Sequence, residues 1–401
     1  MQEYLLDWTN LLLRWAHVVT AIAWIGSSFY FVLLDNSLTP PADPELRRKG
    51  VDGELWAVHG GGFYNPQKYL VAPRFLPEHL HWSYWESYST WLTGFALFTV
   101  LYLFNASAFL VDTTVFDWSP AAAVAAALGF LVAGWIVYDA ICRLFGERAH
   151  GDLVVGVVVF AYVVAAAWLA CHLFAGRAAF VLVGAMLATI MSANVFFWII
   201  PGQRKVIAQM RAGAPVDPIH GRRGKQRSVH NTYFTLPVVA AMLSNHYGWL
   251  HSAPNNWLVL VLLMAAGALV RHSFVARHKA LVQGRRVPWE HAIVGVVTIA
   301  GLALWLAPAP RSAAQAAVSA KPPTFAEVRA VVAQRCVLCH NEAVQQKSVR
   351  LDEPELLRAH AQQVYQQAAV LKLMPLNNAT RITDAERELI RRWFEAGAPA
   401  Q

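Results

Sequence analysis

Two runs without a single Asp, Glu, Lys or Arg constrain this chain more than anything else in it: residues 153–176 and residues 178–203. Each exceeds the roughly 20 helical residues that cross a hydrocarbon core of about 30 Å. Inside such a core every backbone polar group must find its partner within the protein, so runs of this kind fold as helices. A third uncharged run, 228–270, is broken by His246-Tyr247-Gly248 and by Ala253-Pro254-Asn255-Asn256 and reads as two helices joined by a short loop. The same test over the whole chain predicts eight spans, near 10–34, 88–110, 119–141, 153–174, 178–200, 232–250, 256–274 and 289–307. Composition agrees: 14% of residues are charged, against about 25% in a soluble domain. The expected fold class is all-α, a polytopic membrane helix bundle in residues 1–307.

The chain beyond the bundle has a different chemistry. Cys336-Val337-Leu338-Cys339-His340 is a C-x-x-C-H motif, the spacing of a c-type haem attachment site. Two thiols reach the porphyrin vinyl groups and the adjacent histidine falls under the iron. The other two cysteines, Cys142 and Cys171, lie in or beside apolar segments and read as packing residues. The start, Met1-Gln2-Glu3-Tyr4, lacks the basic region and cleavage site of a signal peptide, so the first apolar segment is expected to remain.

Haem is attached outside the bacterial inner membrane, which puts the tail in the periplasm, and eight crossings put the N-terminus there too. The loops then predicted to be cytoplasmic hold Arg47, Arg48, Lys49, Lys68 and Arg74, then Arg143 and Arg148, then seven cations from Arg204 to Arg227, then five from Arg271 to Arg286. The predicted outer loops hold only Arg177. That is a strong positive-inside bias. The net charge of +8 is thus topological, and a nucleic-acid partner is not expected; the partner is a lipid bilayer.

The first inner loop, about 35–87, is rich in Gly, His and aromatics: His59-Gly60-Gly61-Gly62-Phe63-Tyr64-Asn65-Pro66, then His79-Leu80-His81-Trp82-Ser83-Tyr84-Trp85-Glu86. It is expected to be irregular and functional. His59 to Gly62 resembles a lipase oxyanion loop, but the chain has no G-x-S-x-G elbow. His79 and His81 without further ligands are weak evidence for a metal. After the last span, residues 308–322 are rich in Ala, Pro and Ser and read as a linker.

Residues 323–401 read as a small soluble domain. Thr324-Phe325-Ala326-Glu327 and Thr383-Asp384-Ala385-Glu386 are capping boxes that open a first and a last helix. Phe325, Val328 and Val332 form the apolar face of the first, and Leu389, Ile390, Trp393 and Phe394 that of the last. Between them, Met374-Pro375 resembles the sixth-ligand loop of class I cytochromes c, so His340 and Met374 are the expected axial pair, with His360 the rival.

Trp24-Ile25-Gly26, the His59 to Tyr64 loop, Trp85-Glu86 before the second span and Ser244-Asn245-His246-Tyr247 ending the sixth resemble the bacterial membrane-bound urate oxidases fused to cytochrome c. The resemblance covers the whole chain. It implies oxidation of urate to 5-hydroxyisourate, with water as oxygen source and electrons leaving through haem c towards a cytochrome c or terminal oxidase. Urate is a planar anion, so its site needs aromatic faces, donors and a base. Glu86, His81 and His230 are the catalytic candidates. Trp82, Trp85, Asn194 and Asn231 are the binding candidates, with Trp91 for stacking and Arg74 or Arg204 for the charge. Because an inner site and an outer haem lie a bilayer apart, a b-type haem held by His17 with His246 or His172 is a further expectation. The rival from another class is a non-catalytic electron-transfer subunit fed by quinol or a partner dehydrogenase.

Overall fold

The computed structural model describes residues 2–307 and 323–399. The linker expected at 308–322 lies outside the described residues.

Eight helices build the bundle: α1 (Gln2–Ser37), α2 (Trp85–Phe98), α3 (Pro120–Phe145), α4 (Gly151–Leu173), α5 (Gly176–Asn194), α6 (Pro218–Leu243), α7 (Asn256–Val282) and α8 (Glu290–Trp305). Five are long and apolar enough to cross a membrane: α1, α3, α4, α7, and α5 with its continuation to Arg211. α2 runs on through a π turn, Thr99–Leu103. α8 is apolar but has only 16 residues. α6 differs most from expectation, because it starts 14 residues before the predicted span and carries basic residues into the bundle. Local chemistry sets that start: Pro218 opens the helix and the Asp217 carboxylate accepts from the Ile219 amide at 2.9 Å. Asp217 and Pro218 are read in sequence as loop, since the hydropathy around them is low.

α5 is the axis of the core, with buried residues on every face, as expected of a helix that is apolar all round. Small residues let its neighbours close in: a β-carbon at Gly184 would come 2.9 Å from that of Ala241 on α6, and one at Gly134 on α3 would collide with Met186. Successive helices pack on one another, except that α2 is joined to α3 through the short turn at 106–109. One end holds the start of α1 and the 244–251 turn; the other holds the long loop after α1.

That loop is not irregular, and the molecule is therefore not purely α. It folds as two antiparallel ribbons, β1 (Val51–Glu54) with β4 (Gln67–Tyr69), and β2 (Ala57–His59) with β3 (Gly62–Tyr64). His59 pairs with Gly62 across Gly60 and Gly61, which have φ of +56° and +83°. Two positive φ angles are what a two-residue hairpin turn demands, so the glycine run serves a turn. Buried Glu54 ties the ribbons together, accepting from the Ala42 amide at 3.1 Å and from Asn65 Nδ2 at 2.9 Å.

The tail has a core of its own. α9 (Phe325–Arg335) and α10 (Asp384–Glu395) form both predicted capping boxes, and Val328, Val332, Ile390 and Trp393 are fully buried between them. Phe325 meets Trp393 with ring centroids 5.9 Å apart. Glu386 accepts from the Arg335 guanidinium at 2.9 Å, locking α10 to α9.

Candidate functional site

Three predicted site residues converge inside the bundle. Asn194, Asn231 and His230 meet where α3, α5 and α6 cross. Asn194 Nδ2 lies 2.9 Å from Asn231 Oδ1 and 3.0 Å from the Tyr138 hydroxyl, and His230 Nδ1 lies 2.7 Å from that same hydroxyl. Asn231 donates to the Met191 carbonyl at 3.0 Å. Next to them is a buried ion pair absent from the sequence-based expectations: Arg227 donates to Asp139 at 2.7 Å, and Asp139 also accepts from Trp198 Nε1 and Arg143 Nε, each at 2.7 Å. Arg227, 3% exposed, lies over the rings of Trp198 and Tyr138 at 4.9 and 5.0 Å. Every member of this network finds its partner within it, so its chemistry is bracing. Asp139 is the only acidic residue in the predicted span 119–141, and an intramembrane carboxylate is a signal that could have found the network. Arg227 gives no such signal, because its helix is expected to start later.

Arg271 is the opposite case. By sequence it counts with the inner-loop cations, although the predicted span 256–274 reaches it; it lies inside α7, 7% exposed, over the Phe29 ring at 3.6 Å. Its Nε and Nη2 have no acceptor among the described residues. These two N–H groups point the same way and form the side-on fork of a guanidinium, suited to a two-point anionic acceptor. His272 Nδ1 meets the Tyr233 hydroxyl at 2.8 Å, and His291, 4.4 Å from His272 between ring centroids, has its own Nδ1 buried without a partner among the described residues.

Of the remaining inner-end candidates, Trp82 and Arg204 line a cleft of about 470 Å³, together with Glu78, His79, Leu80, Ile207, Ala208 and Arg211. Arg204 lies over the Trp82 ring at 5.9 Å. Tyr84, Trp85 and Tyr88 form an aromatic cluster with centroids 5.2 to 6.0 Å apart, which reaches Phe196 from Tyr88 at 5.6 Å. Trp85 and His81 are exposed. Glu86 is half-buried in the first turn of α2, and no hydrogen bond or ion pair of its carboxylate is found among the described residues. Trp91 points elsewhere, donating to Thr189 at 3.1 Å and stacking on Phe95. No cluster of three or more His, Cys, Asp or Glu suited to a metal ion occurs among the described residues.

The three histidines considered for a second haem lie apart in their contacts. His17 rests on α2, its Nδ1 3.1 Å from the Thr90 carbonyl, and its ring fills the space a β-carbon at Gly94 would take. His172 is exposed and stacks on Trp168, with its Nδ1 bonded to the Trp168 carbonyl at 2.7 Å. His246 is exposed in the 244–246 turn. No described contact joins His17 to either, and no step is derived through a haem there.

In the tail, the residues fit a c-type haem. The Cys336 and Cys339 thiols are both free. Burial pushes the Cys336 thiol up to about 11, the reverse of the lowered value a redox C-x-x-C pair requires. His340 Nδ1 lies 3.1 Å from the Val349 carbonyl. That bond assigns the proton to Nδ1 and leaves Nε2 free, the usual arrangement of a metal-binding imidazole. The Met374 loop is pinned by Arg387, 7% exposed, which donates to the carbonyls of Ala368 and, at 2.7 Å, of Met374. His360, the rival ligand, bonds Gln363 on the surface.

Residues 3–307 match the family model described as urate oxidase N-terminal. No curated protein and no solved structure matches the chain. The match covers most of the chain, which therefore belongs to the urate oxidase N-terminal family.

Proposed function

We propose that this member of the urate oxidase N-terminal family is an inner-membrane enzyme that oxidises urate to 5-hydroxyisourate and sends the electrons out through a haem c on its own tail. The reaction balances as urate plus water giving 5-hydroxyisourate, two protons and two electrons. It needs a planar anion site, a base, and a one-electron acceptor used twice per turnover. The observation that carries the location of the site is the cleft in which Arg204 lies over Trp82, with a volume of about 470 Å³, in the range of small-molecule sites. Trp82 offers a face to the purine and Arg204 a charge to its anion. Glu86, its carboxylate unbonded among the described residues at the mouth of α2, is the base that takes a proton as electrons depart; His81 is the alternate. Trp85, exposed beside them, lines the approach. Asn194, Asn231 and His230 brace the crossing of α3, α5 and α6.

When bound, haem c accepts single electrons and passes them to an external cytochrome c or terminal oxidase. Cys336 and Cys339 would attach it, and His340 and Met374 would ligate its iron. All eight helices then cross the bilayer, with the tail and the N-terminus on the periplasmic side.

The test is anaerobic addition of urate to the purified full chain. Reduction of the c-type absorbance with no other protein present is expected; an oxidised spectrum would instead favour a subunit fed by quinol or a partner dehydrogenase. Arg204→Gln should raise KM about 10- to 100-fold with kcat kept, the worth of one charged hydrogen bond. The free fork of Arg271 favours a second place for the same anion. If Arg271→Gln carries that KM effect and Arg204→Gln does not, urate sits between α1 and α7.

A further inference from the structure

The tail rests on the bundle through the loop that carries Met374. Asn377 Nδ2 donates to the carbonyls of Ala108 at 2.6 Å and Val111 at 3.4 Å, between α2 and α3. Gly248 lies under the same loop: a β-carbon there would fall on the Leu371 carbonyl oxygen and come 3.0 Å from that of Lys372. Lys347 pairs with Asp7 at the start of α1. Residues 371–377 thus meet two separate outer segments of the bundle, and a third contact fixes rotation about them.

Both surfaces are held rigid from behind. Asn245, beside Gly248, accepts from the Tyr102 hydroxyl at 3.0 Å and from Arg177, which lies over Phe109 at 5.6 Å. The Ala175 amide donates to the Leu110 carbonyl at 3.0 Å, and Trp118 Nε1 to that of Leu173 at 2.6 Å. On the tail side, Arg387 fixes Met374, and the amides of Leu373 and Met374 both bond the Gln367 carbonyl, at 2.8 and 3.0 Å. A tether alone would need none of this.

We propose that this seat is a built-in electron-transfer dock: it holds the Met374 loop, which would supply a ligand to the haem c, against the bundle, and Gly248 sets how close the two approach. The inference rests on the haem c reading above. Each urate yields two electrons, which a haem c held there would take up one at a time and hand to the external one-electron acceptor. Gly248, Asn377, Asp7 and Lys347 are positioning residues.

Two readouts on the full chain in detergent test it. A carbodiimide should couple the Asp7 carboxylate to the Lys347 amine, seen as a cross-linked peptide by mass spectrometry; both groups are open to the reagent. In Gly248→Val that cross-link should be lost and reduction by urate should slow severalfold, because electron transfer falls off exponentially as the two surfaces are pushed apart. The c-type spectrum and reduction by dithionite should stay unchanged. Asn377→Ala, on the tail side, should slow reduction less, and exchanging the charges in Asp7→Lys with Lys347→Glu should restore what Asp7→Lys alone loses. Absence of the cross-link in the unaltered chain, or wild-type rates in both Gly248→Val and Asn377→Ala, would overturn the dock. If urate leaves the unaltered haem oxidised, the functional reading fails by itself, and the cross-link and its loss in Gly248→Val still decide the seat.

Discussion

In the tail, Cys336, Cys339 and His340 sit within one short turn, and the helix before them with the Val349 carbonyl after them is enough to aim all three. In the bundle, Asp139 takes its donors from Arg143 on its own helix and from Trp198 and Arg227 on two others. The first arrangement survives wherever the local chain folds. The second exists only while α3, α5 and α6 are packed. Chemistry written as a motif is therefore separable from the stability of its domain, whereas chemistry assembled from several helices is not.

That contrast can be broken by experiment, and the largest effect belongs to the tail. Cys336→Ala or Cys339→Ala should weaken covalent haem attachment and the double variant abolish it, read as haem staining on a denaturing gel, while the bundle keeps its thermal transition. A bundle that unfolds with the loss of haem would make the two regions one cooperative unit. Next comes Asp139→Ala, which leaves the buried Arg227 unpaired and should destabilise the bundle by about 3–5 kcal/mol, followed by tryptophan fluorescence on heating. The c-type spectrum should not change. Retention of the full transition temperature would show that the network is looser than its geometry.

Smaller effects sharpen the comparison inside the tail. Arg387→Ala frees the Met374 loop without touching the attachment motif, so haem should remain bound while its reduction potential falls, because a thioether ligand raises it; redox titration reads this. The smallest effect is acidic. Burial works against the charge on Glu386, but the Thr383 cap and the Arg335 guanidinium outweigh it and hold the carboxyl below its ordinary range. A lowered carboxyl contributes stability above the ordinary carboxylate range and loses it as pH falls through the lowered value. Tail unfolding should therefore ease below about pH 4, and less so in Glu386→Gln.

How much of this is legible depends on range along the chain. The capping boxes at Thr324 and Thr383, the apolar stripes of α9 and α10 and the turn after Leu243 depend on neighbours a few residues apart, and they stand where expected. The start of α6 escapes a reading by hydropathy because Asp217 and Pro218 begin a helix whose first turns are polar. The ribbons after α1 escape it because their strands are three or four residues long and give no usable period. Among the site residues, Asn194, Asn231 and His230 stand out as polar groups in apolar helices, but sequence cannot show that they satisfy one another. Arg227 and Arg271 count with the loop cations, since a guanidinium at a helix end looks the same in sequence whether it faces water or the core.

By itself the sequence determined that this chain makes long apolar helices, that a small domain with a C-x-x-C-H motif comes after them, and that its first three quarters belong to a urate oxidase family. The helices rest on the hydropathy of contiguous residues, the motif on covalent spacing and the family on likeness over residues 3–307, none of which packing can alter. Tertiary structure decided which buried charges are paired and which are free, and onto which face of the bundle the Met374 loop settles. Asp139 and Arg227 are 88 residues apart, Gly248 and Leu371 further still. Whether such groups meet depends on helix crossings fixed by side chains as small as Gly134 and Gly184, and no local pattern encodes that.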